Sequence, residues 1–100
     1  MLLSELKTID FQILEWFDKT YGNTYFASRI TLNFGLENQT EFIIPFTYGH
    51  GNHAEFKSYE KIDEYFNLSK GTIGWRYCND NNIIVRINKR DALKRELKNI

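Results

Sequence analysis

One cysteine, one proline and no long apolar run mark this 100-residue chain first by what it leaves out. Cys78 has no second cysteine to pair with, so an intramolecular disulfide is excluded and a reducing compartment is the expected setting. Pro45 and six scattered glycines are too few for a low-complexity or disordered segment. The longest apolar stretch, Phe42-Ile43-Ile44-Pro45-Phe46, falls far short of the roughly 20 residues that span a membrane. Met1-Leu2-Leu3-Ser4-Glu5-Leu6 lacks the basic-then-apolar layout of a secretory leader. Net charge is zero and the isoelectric point is about 6.7, outside the basic range of dedicated nucleic-acid binders. These absences leave one domain, residues 1–100, expected in the cytoplasm.

Rings are abundant: eight Phe, six Tyr and two Trp. Charge is balanced in sum but divided along the chain. Residues 1–66 carry ten acidic against five basic side chains, a net of −5, and residues 67–100 carry eight basic against three acidic, a net of +5. Two such halves either pair with each other or present surfaces to different partners.

Period-two alternation of Phe26, Ser28, Ile30, Leu32 and Phe34 predicts a strand over 24–34, and a second follows over 41–46, where Pro45 requires either an edge or the strand's end. Before Thr24 two patterns compete: Leu6, Ile9, Ile13, Trp16 and Phe17 recur at helical spacing, while Ile9, Phe11 and Ile13 alternate as in a strand. We take a first strand over about 9–18, preceded by a short helical or irregular lead, with Tyr21-Gly22-Asn23-Thr24 as the hairpin turn. In that strand Ile9, Phe11 and Ile13 point opposite to Leu14 and Trp16, so both faces of the sheet need cover. Residues 54–68 read as an amphipathic helix with Tyr59, Ile62, Tyr65 and Phe66 on one stripe. Residues 75–78 and 83–87 read as a second hairpin, and 89–100 as a final helix with Asn88 as its N-cap. The expected fold is α+β: a single antiparallel sheet of about five strands, two hairpins plus an edge strand, with two helices.

Three constellations could carry function. The loop containing Gly49, His50, Gly51 and His53 joins a strand to a helix and is a candidate anion loop, although it lacks the Lys and Ser/Thr of a phosphate loop. With Glu55 or Cys78 its two histidines are also the only material for a metal-dependent hydrolase. Arg86, Arg90, Lys94 and Lys98 form a basic segment that could contact phosphates. Trp16 flanked by Asp10, Glu15 and Asp18 has the make-up of a ring anchor with a charged rim, as protein interfaces use.

Two blocks of sequence point further. Trp16-Phe17-Asp18-Lys19-Thr20-Tyr21-Gly22-Asn23-Thr24-Tyr25 and Pro45-Phe46-Thr47-Tyr48-Gly49-His50-Gly51 match the patterns W-F-D-x-x-x-G-N-T-Y and P-F-x-Y-G-x-G, with a later echo in Asn88-Lys89-Arg90-Asp91. In these the chain resembles small bacteriophage and prophage proteins to which no catalysis is assigned, departing from their pattern at His50 and near His53. The resemblance implies a phage accessory product acting inside a bacterial cell. The resulting expectation is a non-enzymatic protein without a cofactor that binds a host or phage protein complex, in its sharpest form a counter-defence inhibitor of the anti-CRISPR kind. The alternative is a nucleic-acid binder using the basic segment, and the third reading is the small hydrolase. Apolar registers on both sides of the first strand further lead us to expect a homodimer with Trp16 between subunits.

Overall fold

A computed structural model describes all residues, 1–100. A short 3-10 turn at Leu3–Glu5 leads into β1 (Thr8–Asp18), β2 (Asn23–Leu32), β3 (Thr40–Tyr48), α1 (His53–Tyr65), α2 (Trp75–Asp80), β4 (Ile84–Asp91) and α3 (Lys94–Lys98). The strands form one sheet in the order β3-β2-β1-β4.

β1 and β2 make a long antiparallel hairpin in which Ile9 faces Leu32, Phe11 faces Ile30 and Trp16 faces Tyr25. Gly22 turns the chain with φ of 71°, and the Asp18 carboxylate accepts from the Thr20 amide at 2.9 Å. β3 adds antiparallel to β2 as an edge strand, where the missing N–H of Pro45 costs little. Alternation along β1 splits its apolar residues. Ile9, Phe11 and Ile13 enter the main core with Phe26, Ile30 and Leu32, while Leu14 and Trp16 lie on the opposite face.

The second half departs from expectation in three ways. Residues 75–78 belong to a helix, α2, not to a hairpin strand. The remaining strand runs from Ile84 to Asp91 and pairs with β1 in parallel, so the sheet is four-stranded and mixed instead of five-stranded and antiparallel. The final helix is confined to Lys94–Lys98, because residues 89–91 extend β4. One cause underlies the first two. After β3 the chain crosses the helix-covered face through α1 and α2, and such a crossover delivers the next strand parallel to the one it left. Ile73 and Cys78, both buried, form part of the cover on that face. Asn88 lies in strand register opposite Gln12, which leaves the start of α3 to Glu96, whose carboxylate accepts from the Leu93 amide at 2.7 Å.

Four buried polar residues fasten these elements together. Asn33, at φ of 53°, accepts from the Lys7 and Thr8 amides and donates to the Glu5 carbonyl, fastening the N-terminal lead to the end of β2. Ser28 of β2 and Ser58 of α1 share a hydrogen bond of 2.8 Å across the sheet–helix interface. Asp63, only 2% exposed, accepts from the amides of Gly71 at 3.0 Å and Ile73 at 2.8 Å. It thereby holds the α1–α2 connection against the helix. No helix is long and apolar enough to cross a membrane.

Replacing Asp63 with Ala leaves those two amides without their acceptor. We expect a loss of about 3 kcal/mol in urea denaturation, with a smaller loss for Asp63→Asn, which keeps one acceptor oxygen.

Candidate functional site

The two faces of the sheet offer different chemistry. On the face away from α1, side chains form rows across the strands: Arg86, Asp10, Thr31 and Glu41 in one, Asn88, Gln12 and Arg29 in the next, and Trp16, Tyr25 and Tyr48 beyond. α3 lies over this face and buries Leu97 against it. A concavity of about 760 Å³ beside α3 is lined chiefly by polar side chains, among them Gln12, Arg29, Asn88 and Arg90. At the other end Tyr25 stacks on Phe46 with ring centres 4.8 Å apart and on Trp16 at 5.7 Å. Lys94 holds its ammonium 5.3 Å from the centre of the Trp16 ring, and Lys98 lies 5.4 Å from that of Phe46.

This arrangement draws the charged candidates together, but largely with one another. Arg86 grips Asp10 with two hydrogen bonds of 2.7 and 2.9 Å, which raise the guanidinium pKa further above its ordinary value. Lys89 reaches Glu15 at 3.4 Å and Glu55 at 3.1 Å. Arg90 pairs with Glu96 at 3.3 Å, and the Leu93 amide together with Arg90 holds the Glu96 carboxyl below its usual range. Asp18 is turned into the hairpin, where it accepts from Thr20 and Tyr21. Asp10, Glu15, Trp16 and Asp18 therefore do not form one surface: Asp10 and Trp16 share a face, Glu15 points to the other, and Asp18 closes a turn. Of the basic set, Arg86 and Arg90 are on β4, and Lys94 and Lys98 cap the aromatic cluster from α3.

The glycine loop is shaped by packing. A side-chain carbon at Gly49 would lie within 2.9 Å of the Phe26 ring and closer still to that of His53, which packs edge-on against Phe26. Gly51 turns with φ of 59° and offers its carbonyl to Lys89 at 2.7 Å. His50 is exposed while His53 is half-buried, and nowhere do three His, Cys, Asp or Glu side chains gather as a metal would require.

On the helix side lies a site that the sequence reading did not single out. Phe56 and Trp75, 64% and 69% exposed, line a groove of about 360 Å³ floored by Tyr59 and Ile73, with Glu60 and Lys70 beside it. Asp63 positions this groove through its grip on Gly71 and Ile73, of which Ile73 lies two residues before Trp75. Phe56 also borders a second hollow of about 370 Å³ shared with Tyr48, His50 and His53. A sequence signal for it existed: Phe56 stands between Glu55 and Lys57, off the apolar stripe of its own helix. Behind the groove, the Tyr59 hydroxyl is buried without a hydrogen-bond partner, and burial, aided by the charges of Cys78 and Glu55, pushes its pKa up to about 12. Burial likewise raises the Cys78 thiol to about 11, which makes it a poor nucleophile.

Comparison with protein-family models, with curated proteins and with solved structures returns no match. At the groove, two large rings stand in solvent beside a floor made by Tyr59 and Ile73.

The two raised pKa values set an alkaline limit on stability. The fold keeps both protons above the pH at which the unfolded chain releases them, 9.0 for Cys78 and 10.0 for Tyr59. Their contribution is complete below pH 9 and is lost as pH climbs towards 11 and 12. In urea melts at increasing pH, Tyr59→Phe should flatten the decline above pH 10. At pH 7 the same change should raise stability by about 1 kcal/mol, because it deletes a buried hydroxyl that has no partner.

Proposed function

We propose that this chain is a non-enzymatic binding module whose partner is a protein, engaged through the groove between Phe56 and Trp75. The observation that carries this reading is the contrast between the two kinds of candidate. Large rings face solvent at the groove, whereas Arg86, Lys89 and Arg90 are each satisfied by a carboxylate of the same chain. Exposed aromatic side chains around a concave apolar floor are the usual anchors of protein recognition, and Glu60 with Lys70 would form a polar rim. The resemblance to phage proteins supports a partner inside a bacterial cell, and a host defence complex is the version we favour.

A nucleic-acid role is the second reading, favoured by Lys94 and Lys98 standing beside Trp16 and Phe46. Cations and rings together suit a single strand. Internal neutralisation of the neighbouring β4 cations weighs against it.

Two variants separate the readings. Phe56→Ala with Trp75→Ala should reduce co-purification of a protein partner from infected host cells at least tenfold while leaving the melting temperature within a few degrees. Reversal of Arg90, Lys94 and Lys98 to Glu should leave that association intact, and the unaltered chain should show no affinity for DNA or RNA in low salt. Micromolar, salt-sensitive nucleic-acid binding that the triple reversal abolishes would establish the second reading instead.

A further inference from the structure

We propose that two copies of this chain join edge to edge through β4, with Ile87 on the twofold axis, to make one continuous eight-stranded sheet. β4 is an edge strand of eight residues, and its only neighbour is β1. The Ile84 amide donates to Lys7 and the Ala92 amide to Glu15, and the intervening parallel register is unbroken. Parallel pairing alternates, so the N–H and C=O groups of Arg86, Asn88 and Arg90 also serve β1. Those of Val85, Ile87 and Lys89 point outward, away from the sheet, with no strand to receive them.

Edge strands are commonly protected from such pairing by charge. β4 carries Arg86, Lys89 and Arg90, but Asp10, Glu15, Glu55 and Glu96 neutralise all three within the chain. The protection is therefore cancelled. The strand is also self-complementary in one antiparallel register. Centred on Ile87, it sets Val85 opposite Lys89 of the second copy and Ile87 opposite its own counterpart, so every outward-facing pair can exchange two hydrogen bonds. Arg86 then meets Asn88 and Ile84 meets Arg90, with no like charges directly opposed. Centring on Lys89 would instead set Ile87 opposite Asp91 and lose the apolar pair at the axis. Ile87, half-exposed in the single chain, would gain an apolar neighbour at the axis.

This twofold contact is isologous and closes at two subunits. It uses neither Trp16, already stacked against Tyr25, nor the Phe56–Trp75 groove, so it stands independently of the proposed function. A single-strand contact lies at the small end of specific interfaces, and we expect a dissociation constant of roughly 10–100 µM.

Sedimentation equilibrium across that range should show a species of twice 11.9 kDa. Hydrogen exchange at the amides of Val85, Ile87 and Lys89 should slow as concentration rises, while exposed loop amides are unaffected. Ile87→Lys, a change at a half-exposed position, should weaken association at least tenfold with the fold intact. Ile87→Cys should form a disulfide-linked dimer under mild oxidation, since directly paired residues stand about 5.5 Å apart. Val85→Cys should not, because its counterpart would be about 13 Å away. A single chain throughout this concentration range would overturn the proposal. So would a dimer in which Ile87→Cys cross-links no faster than Val85→Cys.

Discussion

β1 is paired along both edges and apolar on both faces, and every other element is placed by the need to satisfy it. Ile9, Phe11 and Ile13 must be covered on one side, and Leu14 with Trp16 on the other. α1 and α2 provide the first cover and α3 the second. The cost of leaving either side wet is several large side chains in water, each worth about 2 kcal/mol. A chain of this size cannot forgo that. The two-sided strand therefore dictates a three-layered body with the sheet in the middle.

Charge follows the same geometry. The acidic N-terminal two-thirds contains β1 and α1, the basic remainder contains β4, and parallel pairing sets these beside one another. Asp10 meets Arg86 across neighbouring strands, while Lys89 is held between Glu15 of β1 and Glu55 of α1. Arg86 stands more than half in solvent, so its pair with Asp10 contributes little to stability, whereas the pairs of Lys89 with Glu15 and Glu55 join half-buried side chains. Their consequence is for recognition, because they leave the surface with few free cations on β4 and shift the binding reading towards the exposed rings.

Much of the first half was legible in the sequence. Alternation in β2, the turn at Gly22 and the amphipathic stripe of α1 depend on local rules. β1 carried helical and strand spacing together, and Pro45 allowed either an edge or a strand end until the sheet placed β3 at its edge. The second half was not legible to the same degree. Trp75 to Asp80 holds aromatic and polar residues with no period long enough to separate a short helix from a strand, and tertiary cover chose the helix. Val85 to Arg90 alternates as a strand would, yet its cations also recur at helical spacing, and pairing with β1 decided between them. The groove was hidden for a similar reason: Phe56 and Trp75 are 19 positions apart, and only the turn clamped by Asp63 makes them line one hollow.

What the sequence determined by itself was the class of object: an α+β domain with an alternating strand ending near Phe34, a second strand interrupted or edged at Pro45, and opposite charges on its two parts. Periodicity and proline act over a few residues, so they can be read without knowing what lies across the core. Tertiary structure alone decided the direction of β4, the pairing of the charged halves and the position of the groove. Those outcomes turn on which surfaces meet after the α1–α2 crossover, and contacts between residues as distant in sequence as Asp10 and Arg86 leave no local pattern to read.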